Sequence, residues 1–213
     1  MEFLFRPAGH PGLPVWPGSI AIFPGTWNPP TIAHVEIARA ALNRVDEVVW
    51  AIPRVLPHKN WSGATFEQRC DMVRRVASAE NGFAAAISGG GLYIDMARAA
   101  REAYGRGVEI GIVCGRDAAE RIERWDYGEE GVFEGLLREF RLLVAARAGA
   151  YATDFPHGGR IEKLELENSF DDVSSSEVRR RIAAGENWEL LVPEVIRGEV
   201  SAIYGPILRQ PRS

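Results

Sequence analysis

The chain has 213 residues and 46% of them are hydrophobic, enough to bury the core of one globular domain and too few for a second large one. Its formal charge is −4 with the basic residues scattered, which argues against a nucleic-acid binder held by phosphate-backbone attraction and leaves room for a small phosphorylated ligand in a locally basic pocket. The two cysteines, Cys70 and Cys114, lie far apart inside apolar patterns, no run is long and apolar enough to cross a bilayer, and the first residues lack a basic start before an apolar core; a cytoplasmic protein without disulfides, zinc cluster or membrane partner is expected.

Residues 1–18 carry Pro7, Pro11, Pro14 and Pro17, a density that forbids regular helix and favours an extended arm. Its aromatic residues Phe3, Phe5 and Trp16 can pack on the domain or on a second subunit, so a homo-oligomer stays open. Residues 19–213 read as one domain. Ser19 to Phe23 is a short buried strand, and Val35, Ala38, Leu42 and Val45 then recur at helical spacing. The unit repeats: Val48 to Ile52 is a strand, Phe66, Cys70, Val73 and Ala77 mark a helix, Phe83 to Ile87 is a strand, and Tyr93, Ala97, Ala100 and Tyr104 mark the next helix. Val108 to Cys114 reads as a central strand, with Leu142 to Ala146 and Ile161 to Leu166 as later ones. Strands alternating with helices predict an α/β fold with a Rossmann-like, doubly wound parallel sheet. Ligands of such sheets bind beyond the carboxyl ends of the strands, so functional residues are expected directly after strands.

The segment Gly25-Thr-Trp-Asn-Pro-Pro-Thr-Ile-Ala-His34 comes straight after the first strand and leads into the first helix. A glycine allows close backbone approach to a ligand, and a helix start offers unpaired amides and a positive dipole end, which suit phosphate. The same residues also suit a plain tight turn with an ordinary first-turn histidine after it. The segment resembles the nucleotidyltransferase signature G-x-F-x-P-x-H-x-G-H, in the variant of the nicotinate and nicotinamide mononucleotide adenylyltransferases. Asn28, Pro29, Thr31 and His34 fall on signature positions, Trp27 stands for the aromatic and Ala33 for the second glycine.

Further matches occur in order along the chain. Pro57-His58-Lys59 is similar to the family's P-H-K, Arg69 to an arginine early in the next helix, and Gly115-Arg-Asp117 to its G-x-D after the central strand. Trp125 falls where a tryptophan lies near the pyridine ring, Val173-Ser-Ser-Ser-Glu-Val-Arg179 resembles I-S-S-T-x-I-R at the start of a late helix, and Pro193 to Tyr204 resembles the last helix. Ser174 and Glu177 also have the spacing of a capping box.

The resemblance implies direct transfer of AMP from ATP, carried with Mg²⁺, to a pyridine mononucleotide, with release of pyrophosphate and no protein nucleophile. His34, Thr31 and Arg179 are implied as catalytic: His34 at the α-phosphate, Thr31 as a neutral hydrogen-bonding group, Arg179 on the leaving β- and γ-phosphates. The ATP site is implied at Phe23, Gly25 and Thr26, at Gly115 and Asp117, and at Val173, Ser174 and Ser175, with Lys59 meeting phosphate of either substrate. The mononucleotide site is implied at Trp27, Asn28, Lys59, Tyr93 and Trp125, and no metal site is implied in the protein itself. Each has a plainer reading beside it: Lys59 a solvated lysine, Asp117 a helix cap, Trp125 an anchor under a loop, His58 a binding or loop residue, Arg180 and Arg181 solvated or paired.

Two segments depart from the family. Gly91-Leu-Tyr-Ile-Asp-Met96 stands where S-Y-T-x-D-T is usual, keeping Asp95 but losing both threonine hydroxyls, and Val144-Ala-Ala-Arg147-Ala148-Gly149 replaces V-x-R-P-G. An adenylyltransferase with another phosphorylated acceptor, such as phosphopantetheine, and a nucleotide-binding sensor without turnover are the alternatives.

Overall fold

A computed structural model gives the structure, which describes residues 1–7, 17–54, 63–145, 159–166 and 170–208. Chain order is β1 (Glu2–Phe5), β2 (Ser19–Pro24), α1 (Ile32–Leu42), β3 (Glu47–Pro53), α2 (Phe66–Ser78), β4 (Phe83–Ser88), α3 (Tyr93–Tyr104) and β5 (Glu109–Gly115). Then come α4 (Arg116–Glu123), α5 (Val132–Glu139), β6 (Arg141–Ala145), β7 (Ile161–Leu164), α6 (Ser175–Ala184), two short 3-10 turns and α7 (Arg197–Leu208).

The strands form one sheet in the order β1-β4-β3-β2-β5-β6-β7, in which only β1 is antiparallel to its neighbour. From β2 the chain winds outward through β3 and β4, then returns to the other side of β2 and winds outward through β5, β6 and β7. The winding direction therefore reverses between β2 and β5, the topological switch point at which a doubly wound sheet opens a crevice. Every residue of β3 and of β4 is buried, as expected of strands covered on both faces. Successive residues of a strand feed opposite layers: Ala21 and Phe23 join Val35, Met72 and Val178 on one side, while Ile20 and Ile22 join Met96, Ala100 and Leu137 on the other.

Several elements, α4 among them, carry no clear period in the sequence, and two of these show why. Residues 2–5 form an edge strand, with Glu2 opposite Ile87 and Phe3 opposite Ala86. Phe3 packs edge-on against Tyr104 of its own domain at 5.5 Å, and the Arg6 guanidinium lies 4.4 Å over the Tyr104 ring and 3.8 Å from the Glu47 carboxylate. Burial pushes the Glu47 carboxyl above the ordinary carboxylate range, opposed by a hydrogen bond from the Tyr104 hydroxyl and by Arg6. The second element is α5, whose pattern is masked in sequence by Gly128, Gly131 and Gly135. Trp16, and Ala146 at the end of the expected fifth strand, lie outside the described residues.

Candidate active site

The loop after β2 is built around Trp27. Its backbone is left-handed at φ 51°, a conformation that tucks the indole under the loop. The ring is only 2% exposed, its Nε1 donates to the Ala51 carbonyl at 3.1 Å, and it packs against Phe23 at 4.9 Å, Trp50 at 4.6 Å and His34 at 5.1 Å. A Cβ on Gly25 would lie 2.5 Å from that ring, so glycine is required here by space rather than by dihedral freedom. Trp27, expected at the mononucleotide, thus lies in the core and holds the loop from beneath. Asn28 is also buried: its Oδ1 accepts from the Tyr204 hydroxyl at 2.5 Å and from the Ala64 amide at 3.3 Å. These bonds make Asn28 a clamp between the loop, α7 and the approach to α2.

Thr31 is the N-cap of α1, with extended dihedrals. Its backbone N–H donates to His34 Nδ1 at 3.0 Å, and its hydroxyl lies 2.8 Å from the same nitrogen. A backbone amide can only donate, so Nδ1 is the acceptor and the proton of the neutral ring sits on Nε2. His34 itself lines a cleft at the switch point.

That cleft has a volume of about 540 Å³ and is lined by Phe23, His34 and Ile37 on one side, Gly115 to Ala118 and Arg121 on the other, with Ala145 beyond. Gly115 caps α4, and Asp117, in its first turn, has a side chain 85% exposed and 3.7 Å from Arg116. The structure therefore brings Phe23, His34, Gly115 and Asp117 to one crevice.

The start of α6 meets the first loop from across the chain. Ser174 is its N-cap and accepts from the Glu177 amide at 3.1 Å. The Glu177 carboxylate bonds Arg180 and Arg181, whose hydrogen bonds hold it near a pKa of about 2. The capping box expected from sequence is thus a one-sided cap, and Arg180 and Arg181 are both paired. The Ser175 hydroxyl donates to the Pro29 carbonyl at 2.7 Å, and Arg179 Nη1 donates to the Asn28 carbonyl at 2.5 Å. Arg179 Nη2 adds a bond to Ser176 at 3.3 Å, so two of the five guanidinium donors are used among the described residues. Val173, just before, is buried and anchors the turn.

Tyr93 lines a different pocket, of about 440 Å³, between the Gly91–Ile94 segment, α4 and α5. Its walls are apolar, including Ile122, Leu136 and Phe140, and the pocket adjoins the first cleft through Ala118 and Arg121. Burial pushes the Tyr93 phenol well up, with the Arg121 charge working in the opposite sense. Trp125 is 61% exposed in a neighbouring cleft of about 420 Å³ that shares Tyr127 and Val132 with this pocket and is walled by Glu123, Asp126 and Glu134. Lys59 and His58, with Arg147 to Gly149, lie outside the described residues. Cys114 is buried, and its thiol is pushed up to about 12, so it stays protonated. Among the described residues no three His, Cys, Asp or Glu side chains gather in a way that would hold a metal ion, and no helix is long and apolar enough to cross a membrane.

A sequence model of the cytidylyltransferase-like family matches residues 22–181, most of the chain. The protein belongs to the cytidylyltransferase-like family. Relatives of this cytidylyltransferase-like chain include the probable nicotinate-nucleotide adenylyltransferase of Gloeobacter violaceus, 30% identical over 192 residues that span 83% of this chain and 90% of the relative. That of Geobacter sulfurreducens is 31% identical over 207 residues, spanning 82% and 92%. Among solved structures, Plasmodium falciparum nicotinic acid mononucleotide adenylyltransferase complexed with NaAD superposes with a TM-score of 0.64 at 18% identity, covering 86% of this chain and 95% of that one. At that identity the likeness is one of fold.

Members of the site that motif reading passed over are those with no local signal. Arg69, matched to the family only by position, is 4% exposed and donates to the Thr26 carbonyl at 3.0 Å, fixing the loop from the side of α2. Tyr204, read only as part of the last helix, supplies the bond to Asn28 from the opposite end of the chain. Ala51 serves through its carbonyl alone, accepting from Gly25 N and from Trp27 Nε1, both at 3.1 Å.

Proposed function

We propose that this protein transfers AMP from MgATP to nicotinate mononucleotide, with nicotinamide mononucleotide as the competing acceptor, forming the dinucleotide and releasing pyrophosphate. The observation that carries the reading is the tie between the two helix starts: Ser175 and Arg179 of α6 bind the Pro29 and Asn28 carbonyls just ahead of α1. Two positive helix ends are thereby held side by side at the switch point, a setting suited to a polyphosphate.

In this reading an oxygen of the mononucleotide 5′-phosphate attacks the α-phosphorus of ATP, the new P–O bond forms as the bond to the β-phosphate oxygen breaks, and pyrophosphate leaves with its Mg²⁺. The attacking phosphate is already ionised, so no general base is required. Catalysis then rests on position and on charge neutralisation. The Thr31 amide sets the His34 tautomer, so Nε2–H is the donor offered to a non-bridging α-phosphate oxygen, and the Trp27 and Phe23 rings hold the imidazole in place. The remaining Arg179 donors take the β- and γ-phosphates. Thr26 and Gly115 offer backbone to ATP, Gly25 lets the loop close over Trp27 beside it, Asp117 meets the ribose, and Ser174 and Val173 shape the α6 start. Lys59 supplies a further charge to phosphate. The acceptor ring enters the apolar pocket beside Tyr93, with Trp125 at its outer side, and we place the reaction in the cytoplasm.

The test is to incubate the protein with ATP and Mg²⁺ and, separately, nicotinate mononucleotide, nicotinamide mononucleotide and phosphopantetheine, measuring pyrophosphate and identifying the product. Turnover with a pyridine mononucleotide that falls at least about a hundredfold in His34→Ala is expected. Adenylylation of phosphopantetheine alone would assign another acceptor, as the missing hydroxyls of Gly91 to Met96 allow. ATP binding without any turnover would leave a nucleotide sensor.

A further inference from the structure

Arg121 lies in the last turn of α4 and forms part of the wall of both the nucleotide cleft and the apolar pocket. Neighbouring arginines are committed: Arg116 lies 3.6 Å from Glu120 and 3.7 Å from Asp117, and Arg101 bonds Glu139 at 2.5 Å. Among the described residues, no hydrogen bond or ion pair engages the Arg121 guanidinium. The Tyr93 hydroxyl likewise has no hydrogen-bond partner there, whereas that of Tyr127, in the same pocket, is spent on the Ile122 carbonyl at 2.9 Å. An apolar pocket thus carries two unspent donors, and the one at its junction with the cleft is a fixed positive charge.

A ligand that satisfies this wall has a flat apolar body and an anionic acceptor group, such as an aromatic carboxylate. The acceptor of the proposed reaction has two candidate anions. Its phosphate must reach the α-phosphorus beside His34, so it is held at the reaction centre in the cleft. The group left for the apolar pocket is the pyridine ring with its substituent. A guanidinium has only donors: it grips the two oxygens of a carboxylate but offers nothing to the NH₂ of a carboxamide.

Building on the acceptor assignment above, we infer that Arg121 reads the carboxylate of nicotinate mononucleotide and sets the preference for the acid over the amide. Arg121 is exposed and has no ion pair or hydrogen bond among the described residues, so its replacement leaves the fold intact.

The experiment measures kcat/KM for nicotinate and nicotinamide mononucleotide at saturating MgATP in wild type, Arg121→Gln and Arg121→Lys. Calorimetric titration of both mononucleotides in the presence of a non-hydrolysable ATP analogue accompanies it. Arg121→Gln should lower the acid-to-amide ratio of kcat/KM about tenfold or more, through a raised KM and weaker binding of the acid, and Arg121→Lys should keep part of the ratio. A ratio within about twofold of wild type overturns the inference. This holds whether both acceptors lose equally, which would place Arg121 on the phosphate, or neither changes. If wild-type protein turns over neither mononucleotide, the acceptor assignment falls and this inference with it; if wild type is active but the ratio is immovable, only this inference falls.

Discussion

Gly25→Ala tests the claim that the first loop is moulded on the Trp27 indole. The added Cβ would lie 2.5 Å from two ring carbons and 2.8 Å from a third, closer than any real contact, and the ring has nowhere to retreat because Phe23, Trp50 and His34 enclose it. Relief requires moving the indole off the Ala51 carbonyl. Overpacking of this kind costs about 1–3 kcal/mol, and the forfeited hydrogen bond about 1 kcal/mol more. For a chain of this size that total lowers the midpoint of thermal unfolding by roughly 5–15 °C. Activity should suffer separately, since His34 rests on the displaced ring, and a shift of about 1 Å at a positioning group costs about a hundredfold in turnover. Circular dichroism on heating and pyrophosphate release give the two readouts. Gly198→Ala is the matched control: its Cβ meets nothing within 4 Å and lies in a helix, so it should be neutral or stabilising by up to about 1 kcal/mol. A Gly25→Ala protein that melts and turns over like wild type would refute the account of the loop.

Arg179→Ala should weaken ATP binding more than mononucleotide binding in calorimetry; equal losses would show that the side chain serves the loop through the Asn28 carbonyl and not the triphosphate. Tyr204→Phe removes one buried donor from Asn28 while the Ala64 amide remains, so the unfolding free energy in urea should fall by about 1 kcal/mol, and an unchanged value would mean the clamp is idle. Glu47 has its carboxyl pushed above the ordinary 4.5 by burial, so the folded state binds its proton more tightly than the unfolded chain does. Its contribution is fully present below 4.5 and is lost as pH rises through the folded value; Glu47→Gln should therefore gain stability relative to wild type over that rise, and a pH-independent difference would contradict this. Glu177 has the opposite sign: with its pKa lowered to about 2, its contribution is present above 4.5 and fades as pH falls from there toward 2, so Glu177→Gln should flatten the acid limb of a melting-temperature profile.

Much of the architecture was legible because it is written locally. Alternation of strand and helix patterns predicted six parallel strands and the helices α1, α2 and α3, and the side-chain cap at Ser174 needs only its own turn. The loops after β2 and β5 stood out because a parallel sheet binds its ligands beyond the carboxyl ends of its strands, and they do face each other across the switch point. Residues 2–5 were less legible, because an edge strand among prolines has too few residues to show a period and gains its hydrogen bonds from β4, far along the chain. Trp27 shows the limit most plainly. A signature position says which residue type stands there, but whether the ring faces a ligand or the core depends on its left-handed backbone and on the missing Cβ at Gly25, whose place the indole takes. The same holds for Ser175 and Arg179, whose partners are carbonyls contributed by the other end of the chain, and for Arg121, whose place between two pockets exists only once α3, α4 and α5 are packed. Periodicity records how a segment meets the core; which distant groups a side chain then meets is decided by the order in which the strands are laid down.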